Sequence, residues 1–245
     1  VINIFKFNNV SKSYSNIETI KNVNFEIEDG DFFVIVGLSG SGKTTLLSMM
    51  NRLIDAPSGE ILFDGKELKE WDKRALRFNM GYVLQQGALF PNLTVKENIG
   101  LLPEIKKWDK SKTSSETQRL LEKVGLLPEK YLDRYPDELS GGEKQRIGIL
   151  RAIITQPKVL LMDEPFSALD PLMRKDLQEI TKNLHKELGI TVVFVTHDMR
   201  EALKLATKIC IIHEGSIIQI AGPEEILHDP ANDFVRELFE SEELL

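Results

Sequence analysis

The stretch Phe32-Phe33-Val34-Ile35-Val36-Gly37-Leu38-Ser39-Gly40-Ser41-Gly42-Lys43-Thr44-Thr45-Leu46-Leu47 decides the fold. Its first five residues form a wholly apolar, β-rich run, which reads as a central parallel strand buried on both faces. Its end opens a helical pattern over 44–53 that puts Leu46, Leu47, Met50 and Leu53 on one stripe. Between the two, Gly37 to Thr44 fits G-x-x-x-x-G-K-[ST], with a strand before it and a helix after it. Glycines let the backbone curl so that N–H groups point inward at phosphate oxygens, and the helix N-terminus adds a partial positive charge. The candidate phosphate-binding residues are therefore Gly37, Ser39, Gly40, Ser41, Gly42, Lys43, Thr44 and Thr45. In such a loop the lysine, here Lys43, serves the β- and γ-phosphates, and the hydroxyl of Thr44 is the Mg²⁺ ligand. A glycine-rich loop without a ligand is the competing reading, and the strand–loop–helix context weighs against it.

Working outward, Val159-Leu160-Leu161-Met162 and Val192-Val193-Phe194-Val195 are two more apolar strand runs. A helix is expected over 172–188, with Leu177, Ile180, Leu184 and Leu188 on one stripe. Strands alternating with helices predict an α/β fold. Residues 3–28 and 60–65 read as shorter strands with the turns Asp29-Gly30 and Asp64-Gly65, so an antiparallel sheet is expected near the N-terminus. Residues 92–155 carry no strand pattern and read as helices punctuated by Pro103, Pro128 and Pro136. The expected organisation is one domain over 1–245. Its α/β core and antiparallel β subdomain take about 1–91 and 156–222, a helical subdomain is inserted over 92–155, and a helical tail follows over 223–245. The acidic end from Glu237 is expected to fray.

Composition bounds the function. The chain has 245 residues, enough to bury roughly 70–75% of its unfolded surface without staples. Its net charge of −7 argues against nucleic acid as a partner, because phosphate neutralisation needs clustered positive charge. A single cysteine, Cys210, excludes an intrachain disulfide; it sits in an apolar run and reads as a small core residue. Phe5, Phe7 and Phe25 likewise read as core. No apolar run approaches the ~20 residues of a spanning helix. Val1-Ile2-Asn3 lacks the pattern of a signal peptide, and an opening Val suggests a processed or trimmed chain.

The run Val159 to Met162 ends in Asp163-Glu164. An apolar strand ending in two carboxylates fits the metal-organising strand of P-loop ATPases: Asp163 for Mg²⁺, Glu164 as the general base toward water. Alone, two acids at a strand end would read as solvated and inert; the phosphate loop changes that. No N-K-x-D run is present, which disfavours a GTPase.

Further segments carry a resemblance. Leu139-Ser140-Gly141-Gly142-Glu143 resembles the signature sequence of the ATP-binding cassette (ABC) family. Ser167-Ala168-Leu169-Asp170 looks like its D-loop, His197 like its switch histidine, Gln85 (with a near twin in Gln86) like its Q-loop glutamine, and Tyr14 like the aromatic that stacks on adenine. The resemblance runs over nearly the whole chain in the family's order. It implies the ABC ATPase fold, a P-loop core with an N-terminal antiparallel β subdomain and an inserted α-helical subdomain. It also implies ATP and Mg²⁺ as cofactors. Catalytic roles fall to Glu164, His197, Lys43 and Gln85, metal contacts to Thr44, Gln85 and Asp163, and nucleotide contacts to Tyr14, the loop, Ser140, Gly141, Gly142, Glu143 and Asp170. The partners implied are a second copy or a paralogous ATPase, arranged head to tail so that each lends its signature to the other's ATP. They also include membrane permease subunits, which hold the chain at the cytoplasmic face of the membrane, and indirectly a solute-binding protein. Phe90-Pro91-Asn92-Leu93-Thr94-Val95 lies where the family docks membrane-domain helices.

Ser140-x-x-Glu143 is also a capping-box pattern. Family members more commonly carry Gln at the position of Glu143, and an acid aimed at ATP would repel it, so Glu143 is expected to turn back and cap Ser140. Asn51 to Gly59, Tyr82 to Pro91, Asp133 to Leu139 and Pro230 to Val235 resemble the osmoprotectant importers, which move glycine betaine, carnitine or choline. An importer of amino acids or other small solutes is the alternative, then a soluble ABC ATPase, which usually has a coiled-coil insertion or a second cassette. A non-hydrolysing nucleotide sensor is disfavoured by intact Lys43, Asp163, Glu164 and His197. Many members of that subfamily continue into CBS-type modules; the sequence stops at Leu245, so no regulation through them is inferred.

Overall fold

A computed structural model describes residues 2–85 and 88–243. The chain forms two compact units, 1–79 with 189–245, and 80–188. The first begins with β1 (Asn3–Tyr14) and β2 (Ile17–Glu28), then β3 (Phe32–Val36), α1 (Lys43–Met50), β4 (Ser58–Phe63), β5 (Lys66–Glu67) and α2 (Lys73–Phe78). The second runs through β6 (Met80–Val83), α3 (Val95–Ile105), α4 (Lys110–Lys123), α5 (Pro128–Tyr131), α6 (Gly141–Ile153), β7 (Val159–Asp163) and α7 (Pro171–Leu188). The chain returns to the first unit with β8 (Thr191–Thr196), α8 (Met199–Leu205), β9 (Lys208–His213), β10 (Ser216–Ala221), α9 (Pro223–His228) and α10 (Asp233–Glu243).

In the first unit β1 pairs antiparallel with β2 and β4, the expected N-terminal sheet, though β1 and β2 are twelve residues each rather than short. Asp64 and Gly65 join β4 to β5 with φ of 52° and 75°, the left-handed pair of a two-residue hairpin turn. Phe7 stacks on Phe25 with centroids 4.3 Å apart, and Phe25 on Phe33 at 5.8 Å. Burying such a ring is worth roughly 1.5–3 kcal/mol, so this aromatic column ties the antiparallel sheet to β3. Strand β3 is buried at every residue and pairs parallel with both β8 and β9, as a wholly apolar run should. Cys210 is fully buried on β9, and burial pushes its thiol up to about 12.

The helix after the glycine loop ends sooner than the apolar stripe predicted. Leu46, Leu47 and Met50 are buried, but α1 stops at Met50 and Leu53 is 58% exposed. Arg52 takes φ of 53°, its N–H donates to the Met49 carbonyl at 3.1 Å, and Leu53 N–H reaches back to Ser48 at 3.0 Å. That is a Schellman stop with arginine where glycine is usual. Arg52 is held there by bonds from its guanidinium to the carbonyls of Leu68 and Trp71.

In the second unit β6 and β7 pair parallel, and residues 92–155 are free of strands as expected. Helix α7 buries Leu177 and Leu184 but leaves Ile180 and Leu188 half-buried. The acidic segment from Glu237, expected to fray, is helical to Glu243; Leu244 and Leu245 lie outside the described residues.

Candidate functional site

Parallel pairing decides where the chemistry-bearing residues emerge. Val36 lies opposite Thr196, so Gly37 and His197 leave neighbouring strands at the same end. In the other unit Val83 lies opposite Met162, so Leu84-Gln85 and Asp163-Glu164 also leave together. Carboxyl ends of parallel strands are where such sheets bind ligands.

The glycine loop is a built cradle. A Cβ on Gly37 would sit 2.1 Å from the Ile212 carbonyl oxygen, and one on Gly42 would meet the Ile20 side chain at 2.6 Å and the Thr19 carbonyl at 2.9 Å. Gly42 also holds φ of 105°, which side-chain-bearing residues rarely adopt. Ser41 is fixed from outside, its carbonyl accepting from Gly215 N at 3.1 Å. Lys43 is only 5% exposed, and its ammonium donates to the Gly37 carbonyl at 2.8 Å and the Leu38 carbonyl at 3.1 Å. The Ser41 Oγ is buried without a hydrogen-bond partner. Ser39, Gly40 and Thr44 are exposed on the same loop, and Thr45 is half-buried. An orphaned hydroxyl, a positive charge and an uncapped helix start converge in one loop, and that set fits a phosphate.

Tyr14, at the end of β1, is 45% exposed with the Lys12 ammonium 5.1 Å from its ring centroid. Its hairpin leans on the cradle through Thr19 and Ile20, the residues that crowd Gly42. His197 is exposed. The loop around it is pinned: Thr196 Oγ1 donates to the buried Glu201 carboxylate at 2.6 Å and accepts from Asp198 N at 3.0 Å. Asp198 then caps α8 by accepting from Arg200 N and Glu201 N.

In the second unit Gln85 Nε2 donates to Ser167 Oγ at 3.0 Å, and that hydroxyl donates to the Glu164 carbonyl at 3.0 Å. The glutamine is thereby linked to the segment that follows the two carboxylates. Gln86, weighed beside Gln85, lies outside the described residues. Asp163 and Glu164 are half-buried, and Glu164 takes φ of 44°. A glutamate in the left-handed region is uncommon, and such strain gathers at functional positions. Asp170 Oδ1 caps α7, accepting from Leu172 N and Met173 N.

The segment before α6 forms the expected capping box. Ser140 N–H donates to Glu143 Oε2 at 2.7 Å, and Glu143 N–H donates to Ser140 Oγ at 3.3 Å. Gly141 is exposed; Gly142 is buried against Met173, whose sulfur lies 3.0 Å from where a Cβ would be. Glu143 has a second partner that the sequence does not announce, the Tyr131 hydroxyl, which donates to Oε1 at 2.5 Å. Burial would raise the Glu143 carboxyl, but the bonds from Tyr131 and Ser140 outweigh it and hold the group below the usual glutamate range.

Three other supports escaped the sequence reading. Helix α6 sends Gln145 Nε2 to the Leu84 carbonyl at 3.3 Å and Arg151 Nη1 to the Ala88 carbonyl at 3.0 Å, so one helix holds both ends of the segment after β6. Asn98, fully buried on α3, accepts from Phe90 N and donates to the carbonyls of Phe90, Leu93 and Thr94. It shapes the Phe90–Val95 turn and leaves the Phe90 ring half-exposed. Beside that turn lies a groove of about 640 Å³ walled by Leu93, Leu101, Trp108 and Leu132, with Lys96 and Glu104 at its edge. A polar residue on an otherwise apolar helix face was the available signal for Gln145 and Asn98.

Among the described residues no helix is long and apolar enough to cross a membrane. Nor do any three His, Cys, Asp or Glu side chains gather as a metal cage there. Mg²⁺ that arrives with phosphates needs only one or two protein ligands, so Thr44, Gln85 and Asp163 suit it by type.

Comparison with known proteins follows the same lines. The ABC transporter family model matches residues 20–167. The glycine betaine/carnitine/choline transport ATP-binding protein OpuCA of Bacillus subtilis is 48% identical over 243 residues, covering 99% of this chain. The chain spans 64% of that relative's length. Among solved structures, the dimeric post-hydrolysis state of the ATP-binding cassette MJ0796 bound to ADP and Pi is 33% identical, with a TM-score of 0.78 over 89% of this chain and 98% of that one. The structure of cbiO1 from Clostridium perfringens, part of the ABC transporter complex cbiONQ, is 27% identical, with a TM-score of 0.86 over 100% and 99%.

Proposed function

This chain belongs to the ABC transporter family and has the ABC ATPase fold, and from that premise we propose that it is the ATP-hydrolysing subunit of an importer of quaternary amines. The observation that carries ATP binding is the cradle itself, whose orphaned Ser41 hydroxyl and uncapped helix start ask for an anion. The solute class rests on the names of relatives such as OpuCA.

In this reading the N–H groups of Gly37 to Thr45 and the Lys43 ammonium take the phosphates of ATP, and Tyr14 takes the adenine. Bound Mg²⁺ would neutralise developing phosphate charge, with Thr44, Gln85 and Asp163 as its protein contacts. Glu164 orients and deprotonates the attacking water. Gln85, through Ser167, links that segment to the residues leading into Phe90. His197 contacts the γ-phosphate, and the Thr196–Glu201 bond keeps its loop from yielding. A second copy or a paralogue supplies Ser140, Gly141, Gly142 and Asp170 across the nucleotide, with the Glu143 carboxylate turned back onto Ser140. Closing on ATP and reopening after hydrolysis is then a two-state switch biased by the γ-phosphate. The Phe90–Val95 turn and its groove offer a permease an apolar seat with charged edges, held rigid by Asn98. The chain works at the cytoplasmic face of the membrane, bound to that permease, downstream of a solute-binding protein.

Uptake of labelled choline, carnitine and glycine betaine tests the proposal. Cells lacking the protein are complemented with wild type or Glu164→Gln, alongside the cognate permease. Uptake is expected with wild type alone, and purified Glu164→Gln is expected to lose roughly 10²–10⁴-fold in ATP turnover. ATP turnover without uptake of any of the three would overturn the solute class and leave the ATPase. Turnover unaffected by Glu164→Gln would overturn the base assignment.

A further inference from the structure

The start of α6 carries an acid where a phosphate is to be received, and Glu143 is kept from that space by a residue outside the signature. Its carboxylate has two oxygens. Oε2 is taken by the Ser140 N–H at 2.7 Å and Oε1 by the Tyr131 hydroxyl at 2.5 Å. With only the capping box, Oε1 would be a half-buried charged oxygen in search of a donor. The nearest donors by helix geometry are the N–H groups of Gly141 and Gly142, which have no intrahelical acceptor. Those are also the groups a phosphate would use. We propose that Tyr131 is a positioning residue for nucleotide binding: its hydroxyl locks the Glu143 carboxylate back over the first turn, so that the N–H groups of the signature stay open to ATP.

Tyr131 is well placed to do this. It ends α5, where Pro128 fixes the first turn. The Arg134 guanidinium lies 4.6 Å from its ring centroid, and Arg134 N–H bonds the Tyr131 carbonyl at 3.1 Å, so ring and backbone are both held. The same guanidinium adds positive charge beside the carboxylate. Losing the hydroxyl leaves the ring and this stacking in place, which makes Tyr131→Phe a narrow cut.

The inference rests on the ATPase reading, so its test separates the two. ATP turnover by the full-length chain is measured against ATP concentration for wild type, Tyr131→Phe, and Tyr131→Phe combined with Glu143→Gln, with Glu143→Gln alone closing the cycle. Tyr131→Phe is expected to raise KM for ATP about tenfold while kcat changes less, as a lost hydrogen bond to a charged group implies. In the Glu143→Gln background the same tyrosine change should raise KM less than about threefold, because a neutral amide needs no lock. An unchanged KM in Tyr131→Phe would overturn the inference. So would an equal effect in both backgrounds, which is what a packing role predicts. Absence of ATP turnover in wild type would overturn the ATPase reading, and the inference with it.

Discussion

Two helices that the proposed function turns toward phosphate begin in opposite ways. Helix α1 starts at Gly42, with no side-chain cap and no acid in its first turn. The helix dipole there favours a negative charge. Helix α6 starts at Ser140 with a complete capping box, and its first turn contains the acid Glu143. The first terminus carries no side-chain cap; the second is capped, and Tyr131 holds the capping carboxylate. The difference follows from duty. The loop before α1 is braced from outside by Gly215, Ile20 and Thr19, so it keeps its shape without a cap. The segment before α6 is exposed at Ser140 and Gly141, and a cap fixes its entry angle.

The largest expected effect breaks the open terminus. In Gly42→Ala, a methyl group meets the Thr19 carbonyl, which cannot move without shifting β2, at a φ of 105° that alanine resists. Strain of about 1–3 kcal/mol at the binding loop predicts a fall in ATP affinity of roughly tenfold to a hundredfold, read by calorimetry. Gly40→Ala is the sharper comparison. Its φ is 79° but nothing lies within 4 Å, so only the conformational cost of about 1–2 kcal/mol remains. Equal losses in the two variants would mean that crowding against Thr19 and Ile20 does not shape the cradle.

What could be read in the sequence was local. The run Phe32 to Val36 and the glycines after it specify strand, loop and helix from neighbours alone, and so does the apolar run that ends at Asp163-Glu164. The capping of Ser140 by Glu143 was legible because its partners are three residues apart. The stop of α1 was not. A Schellman end normally advertises itself with glycine, and here Arg52 takes the left-handed position because distant carbonyls at Leu68 and Trp71 hold its side chain. Tyr131 was invisible for the same reason, and Gln145 and Asn98 showed only as polar residues on apolar helix faces, with nothing to name their partners. Each matters through a partner brought near by tertiary packing, and no spacing rule marks an ordinary helical Tyr, Gln or Asn. The site's chemistry is therefore written in motifs, while its rigidity is written in contacts.

The smaller effects separate capping as stability from capping as function. Asp72 caps α2 by accepting from Ala75 N at 2.8 Å, with no part in the proposed site. Ser140 caps α6 at a place proposed to face a phosphate. Replacing either by alanine is expected to cost about 1 kcal/mol of stability, read as a lower midpoint in urea. Ser140→Ala should also lower ATP turnover more than that stability loss accounts for, because the hydroxyl and the entry angle serve the partner's nucleotide. Asp72→Ala should leave turnover per folded molecule unchanged. If both variants lost only stability, the start of α6 would be a structural cap and the signature would act through its glycines alone. If Ser140→Ala lost turnover at full stability, the hydroxyl would belong to the phosphate and not to the helix. The two readouts together therefore assign Ser140 to one duty, the other, or both.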